Sequence, residues 1–230
     1  MDIPAIPPGL ERELDLHGHA ILPNLLDEAV CDALAARYDD EALYRSRIVM
    51  KRHGFGSGEY RYYAYPLPRP VQRLRQSLYP LLAPIANRWN AQLRLPARYP
   101  ATHAEYLLAC HAAGQQRPTP LILRYGPGDY NCLHQDLYGD WVFPLQVAIL
   151  LSRPERDFQG GELMLTEQCA GQPARAEVVP LQQGDGVVFA VHHRPVPGAR
   201  GSRRASMRHG VSRLHEGSRH TLGIIFHDAL

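Results

Sequence analysis

Thr119-Pro120-Leu121-Ile122-Leu123-Arg124-Tyr125-Gly126-Pro127-Gly128-Asp129-Tyr130-Asn131-Cys132-Leu133-His134-Gln135-Asp136 is the stretch where the chain changes its period. Two β-rich runs, residues 121–125 and 131–136, flank a Gly126-Pro127-Gly128 turn. The same pattern continues outward to the C-terminus, through residues 145–151, 162–166, 176–180, 187–191, 203–213 and 219–227. Gly139-Asp140, Gly160-Gly161, Gly171-Gln172-Pro173, Gly184-Asp185, Pro197-Gly198 and Gly217 punctuate these runs. Short strands broken by Gly and Pro at this spacing predict a sandwich or barrel. Eight of them match a jelly roll, a double-stranded β-helix.

The first half reads mostly helical. Residues 17–23 look like a short strand. Asp27 then caps a helix through residue 38, with Val30, Ala33 and Leu34 on one face. Pro70 opens a second helix over residues 71–93, with Val71, Leu74, Leu78 and Leu82 at helical spacing. Pro80 and Pro84 are positions where it can kink or break. A third helix spans residues 102–113 and stops at Gly114. The expected fold is mainly β with N-terminal helices, a jelly-roll core packed against a helical layer. Residues 1–230 are expected to form a single domain: residues 1–118 a helical support with a candidate substrate lid, residues 119–230 the jelly-roll core.

Composition bounds the function. Hydrophobic residues are 45 % and charged residues 21 %, which excludes a disordered chain. No apolar run approaches the roughly 18 residues a membrane helix needs. Met1-Asp2-Ile3-Pro4 opens without a basic or apolar leader, so no export is expected. Cys31, Cys110, Cys132 and Cys169 are widely spaced and read as reduced thiols of a cytoplasmic protein. A net charge of +2 is too small to argue by itself for a polyanion partner.

His134-Gln135-Asp136 carries the chemistry. Side chains two apart on a strand share a face, so His134 and Asp136 are expected to aim together into a barrel mouth. His209 lies 73 residues beyond Asp136, and Arg219 ten residues further. Two imidazoles and a carboxylate on one face of an octahedron suit ferrous iron and leave the opposite positions for oxygen chemistry. His53, His192, His193, His215, His220 and His227 compete with His209 as third ligand. His209 is preferred for its place in the penultimate strand and its step to Arg219.

Arg124-Tyr125-Gly126-Pro127-Gly128 before His134-Gln135-Asp136 resembles the AlkB-type dealkylases, where Tyr-x-Pro-Gly precedes His-Gln-Asp in the same register. His209-Gly210-Val211 with Gly217-Ser218-Arg219 resembles the prolyl-4-hydroxylase pattern, as does the Gly160-Gly161-Glu162 turn. Over residues 119–228 the chain thus resembles the 2-oxoglutarate, Fe(II)-dependent dioxygenases. As a whole it is similar to a bacterial family of predicted oxygenases proposed to act on alkylated nucleic-acid bases. The resemblance implies an oxidoreductase that uses Fe(II), 2-oxoglutarate and O2. It implies His134, Asp136 and His209 as iron ligands and Arg219 as the anchor of the far carboxylate of 2-oxoglutarate. A guanidinium fork can engage both oxygens of that carboxylate. Thr221 shares its face and can support the ion pair, and Tyr125 can donate its hydroxyl to the cosubstrate. The chain departs from AlkB at Leu123, where that group has Asn, and has no second arginine after Arg219. Its distal half looks like the hydroxylases.

Two segments bear on the substrate. Between Gly186 and His215 there is no acidic residue, while Arg194, Arg200, Arg203, Arg204, Arg208 and Arg213 gather. Such arginines can track phosphates. From Tyr44 to Tyr63, basic and aromatic residues interleave around Gly54-Phe55-Gly56, which suits backbone attraction with base stacking and a movable lid. The expected activity is oxidative demethylation of alkylated bases in nucleic acid, a DNA-repair role. The alternative is a 2-oxoglutarate-dependent hydroxylase of a protein or small molecule. Rivals of other classes are a non-catalytic metal-binding jelly-roll sensor and a hydrolase using zinc-bound water.

Overall fold

The computed structural model describes residues 7–96, 99–137, 139–199 and 201–230. Met1–Pro4 and Arg200 of the sequence reading therefore lie outside the described residues. The first half holds α1 (Leu10–His17), β1 (His19–Leu22), α2 (Glu28–Ala36), β2 (Tyr44–Val49), β3 (Gly56–Ser57), β4 (Glu59–Tyr63), α3 (Arg69–Gln92) and α4 (His103–Ala112). The second half is all strand: β5 (Leu121–Tyr125), β6 (Tyr130–His134), β7 (Leu145–Leu150), β8 (Phe158–Gly160), β9 (Leu163–Cys169), β10 (Arg175–Val179), β11 (Gly186–Ala190), β12 (His193–Gly198), β13 (Gly201–Val211), β14 (Leu214–Gly217) and β15 (Arg219–Ile224).

The eight runs read from the sequence are β5, β6, β7, β9, β10, β11, β13 and β15, and they form the jelly roll. One sheet sets β11-β7-β15-β5 side by side, and the facing sheet sets β10-β9-β13-β6. Inner and outer faces alternate as a sandwiched sheet requires. On β11, Val188 and Ala190 join the core shared with the helices, while Val187 and Phe189 join the core between the sheets. The α3 face carrying Val71, Leu74, Leu78, Leu82 and Trp89 packs on the outer side. Pro80 and Pro84 do not break this helix, which runs unbroken from Arg69 to Gln92. Thr102 starts α4 with a capping box: its hydroxyl accepts from the Glu105 backbone and the Glu105 carboxylate accepts from the Thr102 backbone.

The first half is less purely helical than expected. Besides β1, the strand expected within residues 17–23, it contributes β2, β3 and β4, and the four lengthen both sheets. β1 adds beside β11, β4 and β2 add beyond β5, and β3 adds beyond β6. The basic, aromatic segment is thus largely a strand pair hydrogen-bonded to β5. In the second half β8, β12 and β14 were also unanticipated. β12 carries Pro195 and Pro197 and pairs only with β13, the edge position in which proline is tolerated.

Candidate metal centre and cosubstrate pocket

His134 and His209 sit directly opposite each other on the β6–β13 ladder, with ring centroids 4.1 Å apart. Just beyond them the register slips: Val211 pairs with Asn131, so two β6 residues oppose the single residue Gly210. This bulge lets Asn131 and His134 both face the same cavity, which strict alternation forbids. Gly210 is what the bulge requires, because a Cβ there would lie 2.7 Å from the Asn131 carbonyl oxygen.

β6 ends at His134, so Asp136 comes from the following loop and not from the strand face that the sequence suggested. It still arrives. Asp136 Oδ1 is 3.5 Å from His134 Nε2, and Oδ2 is 3.3 Å from His209 Nε2. One ligand atom from each of the three residues lies within 4.8 Å of the others, the only such metal-capable grouping among the described residues. Gln135, between His134 and Asp136, donates to the carbonyls of Met207 (2.7 Å) and His192 (3.1 Å), tying the loop to β13. His134 Nδ1 is 2.8 Å from the Cys132 carbonyl oxygen. With Nδ1–H donated there, Nε2 donates to Asp136 while the ring is charged and offers a lone pair to a cation once that proton is lost.

Charge follows this geometry. Burial opposes ionisation of Asp136, but hydrogen bonds and charge from the two histidines outweigh it and hold the carboxyl well below its ordinary range. For His134 burial is outweighed by Asp136, and its pKa rises. For His209 burial wins, and its pKa falls. Two imidazole nitrogens and an ionised carboxylate converging from one side fit a divalent transition metal that keeps other positions open.

Arg219, Thr221 and Tyr125 line the same cavity, of about 330 Å³, as the triad. Arg219 and Tyr125 are register partners across β15 and β5. Arg219 is buried and donates to Thr221 Oγ1 at 2.6 Å. Its Nε has no acceptor, and no carboxylate lies within 4.0 Å of it among the described residues. The nearby acid Glu162 is instead hydrogen-bonded to Ser212. Burial lowers the pKa of Arg219, a charge kept at a cost. The Gly160-Gly161 turn makes room for it: a Cβ on Gly161, whose φ is +66°, would lie 3.0 Å from Arg219 Cδ. The Tyr125 hydroxyl is buried and completes no hydrogen bond. A guanidinium and a phenol, both undersatisfied and facing one cavity, fit a carboxylate ligand.

The remaining wall is apolar, with an aromatic side beside aliphatic residues such as Leu123, Leu163 and Val211. Phe55, Tyr60 and Tyr62 reach the cavity from the N-terminal half, with Tyr60 edge-on to Tyr62 at 5.3 Å. On the opposite face of the same strands Arg47 pairs with Glu59, Arg61 with Asp39, and Arg124 with both acids. Both faces mix the two kinds: Arg45 lies over the Tyr62 ring at 4.4 Å, and Arg61 over the Tyr44 ring at 5.6 Å. Lys51 and Arg52, at the exposed tip, have no ion-pair partner among the described residues.

Arg194 leaves the arginine cluster read from the sequence. It is buried, pairs with Glu167, and donates to the Asp15 and Leu16 carbonyls. Arg203, Arg204, Arg208 and Arg213 are exposed without ion-pair partners among the described residues. The sequence reading also missed Gln146. On β7 it is the one polar residue in Leu145-Gln146-Val147-Ala148-Ile149-Leu150, and its amide donates to Asp136 Oδ2 at 3.0 Å. A lone carboxamide in an apolar strand is the signal that marks it.

A jelly roll whose cavity holds two imidazoles, a carboxylate and a buried arginine with an unpaired Nε fits oxygenase chemistry. Residues 58–229 match Oxygenase-NA, described as an oxygenase catalysing oxidative methylation of damaged DNA, and the chain belongs to that family. It is 50 % identical over 164 residues to an uncharacterized protein of Mycobacterium tuberculosis, covering 71 % of this chain and 70 % of the relative. Among solved structures it is similar to a Pseudomonas putida prolyl-4-hydroxylase, with TM-score 0.56 and 16 % identity over 96 % of this chain and 98 % of the other. It is also similar to a viral collagen prolyl hydroxylase of Paramecium bursaria Chlorella virus-1, with TM-score 0.53 and 13 % identity over 90 % of this chain and 94 % of the other. These two likenesses describe the fold. No helix among the described residues is long and apolar enough to cross a membrane.

Proposed function

We propose that this oxygenase removes N-alkyl groups from damaged bases in nucleic acid. In this reading His134, Asp136 and His209 hold the iron, and Arg219, Thr221 and Tyr125 receive 2-oxoglutarate. The observation that carries the site assignment is the unpaired, buried Arg219 sharing one cavity with the triad. The substrate assignment is supported by the family description, by the Phe55, Tyr60 and Tyr62 wall, and by the unpaired arginines on β13. A flat base suits stacking on an aromatic wall, and it must leave the stack or come from a single strand to enter. We read residues 1–230 as one catalytic domain, because β1–β4 extend the sheets that carry the site. A cytoplasmic location accords with four free thiols.

Iron and 2-oxoglutarate, when bound, supply with O2 an oxidant for a substrate C–H bond. In the overall reaction one oxygen atom enters the N-methyl carbon, and the other converts 2-oxoglutarate to succinate and CO2. The N-hydroxymethyl product then breaks its C–N bond, releasing formaldehyde and leaving the N–H of the repaired base. The chain's own part is to bind and orient. Arg219 and Thr221 neutralise a carboxylate, and the aromatic wall excludes water and holds an apolar face.

The test is formaldehyde and succinate release with Fe(II), 2-oxoglutarate and N-methylated single- and double-stranded oligonucleotides, beside a peptide panel. Equal amounts of formaldehyde and succinate with an oligonucleotide are expected. Hydroxylated peptide, with no formaldehyde from any oligonucleotide, overturns the substrate assignment in favour of a protein hydroxylase.

A further inference from the structure

β7 buries Leu145, Val147 and Ile149 in the core shared with the helices, and turns Gln146 the other way, toward the cavity. Gln146 is 7 % exposed, so its amide has given up water and must be compensated. The compensation is one-sided. Its Nε2 lies 3.0 Å from Asp136 Oδ2 and 3.2 Å from His209 Nε2, while its Oε1 has no partner. A leucine or methionine would fill this volume without leaving an orphaned carbonyl. The placement makes sense only through what the NH2 group touches.

The amide nitrogen donates to the carboxylate, and this contact prepares the triad. Asp136 Oδ2 is held as an acceptor, which leaves Oδ1 turned toward His134 Nε2. Asp136 most needs such support, since it stands on a loop and not on the ladder that fixes the two histidines.

We propose that Gln146 is a positioning residue for the metal centre: its carboxamide sets the orientation of Asp136 from the neighbouring strand. This rests on the reading that Asp136 and His209 are metal ligands. Groups that orient ligands in this way are worth about 10–100-fold in metal affinity.

The experiment measures Mn(II) binding by electron paramagnetic resonance, and the visible spectrum of the Co(II)-loaded protein, for Gln146→Met, Gln146→Leu and Asp136→Ala. Gln146→Met and Gln146→Leu are expected to unfold at wild-type denaturant concentration or above, because an orphaned polar atom is gone. Both are expected to bind Mn(II) about tenfold or more weakly and to shift the Co(II) bands. Asp136→Ala is expected to lose binding. Wild-type affinity and an unshifted spectrum in either folded Gln146 variant, with binding lost in Asp136→Ala, overturn this inference alone. Wild-type binding in Asp136→Ala overturns the ligand assignment beneath it. Should both Gln146 variants unfold, the residue is a structural one and the inference fails.

Discussion

Arg75 on α3 and Arg219 on β15 are both removed from water, the first at 0 % exposure and the second at 3 %. Arg75 is surrounded by acceptors. It donates to the carbonyls of Ile225 (2.8 Å), Phe226 (3.0 Å) and His227 (2.8 Å), to the Tyr65 hydroxyl (3.0 Å), and to Asp228 Oδ1 (2.7 Å). Asp228 in turn accepts from Tyr65 at 2.9 Å and faces His111 Nε2 at 2.8 Å. Arg219 has Thr221 alone, with Nε left over. Burial is the same; completeness is not. A buried guanidinium that the chain itself satisfies is a pin, here fixing the segment after β15 to the helical layer. One that the chain leaves unsatisfied beside a cavity calls for a partner from outside.

The sharpest way to break this contrast is to truncate both. Arg75→Met leaves Asp228 buried without its cation and is expected to cost about 3–5 kcal/mol in chemical denaturation. Arg219→Met removes a charge that the fold does not use and is expected to keep wild-type stability or exceed it. Its effect belongs to the cosubstrate: the 2-oxoglutarate concentration for half-maximal succinate formation should rise at least tenfold. Equal destabilisation by the two variants would erase the distinction.

A smaller effect tests how closely the cavity wall is fitted. Gly210→Ala puts a Cβ 2.7 Å from the Asn131 carbonyl oxygen, backbone that cannot swing aside. The strands must part, at about 1–3 kcal/mol. Mn(II) affinity should fall along with the melting temperature, because His209 and His134 move with the strands. Unaltered Mn(II) binding would show that the bulge does not set the site.

The smallest effect lies on the Arg75 side. Burial, followed by the charge of Arg75, lowers the pKa of His103 to about 4. The unfolded chain therefore takes up this proton first. The stability His103 contributes as a neutral group is complete above pH about 6.5 and is lost as pH falls toward 4. Replacing it, as in His103→Gln, should flatten the stability profile across that window. A profile of unchanged slope would place the acid sensitivity elsewhere.

The jelly roll was legible because its strands announce themselves. Val187-Val188-Phe189-Ala190 is apolar on both faces because both faces are covered, and Gly160-Gly161 marks a turn that also makes room for Arg219. The cavity gathers all six residues singled out from the sequence: His134, Asp136, His209, Arg219, Thr221 and Tyr125. The sequence was silent where tertiary pairing decides. β3 has only Gly56 and Ser57, too short to show a period, and exists because β6 offers it an edge. Arg194 looked like one more surface arginine, since its partner Glu167 is distant in sequence. Arg75 was hidden for the same reason, its acceptors lying some 150 residues away.

The pairing of His134 with His209 across one rung has a mechanical consequence. In the proposed metal clamp two jaws belong to a single ladder, and their separation is set by its backbone hydrogen bonds. The third jaw, Asp136, hangs on a loop and is steadied by Gln135 on one side and Gln146 on the other. Stiffness is therefore uneven around the centre. For a metal held as proposed, the carboxylate is the arm with freedom to yield, and the imidazole pair is the fixed reference beside it.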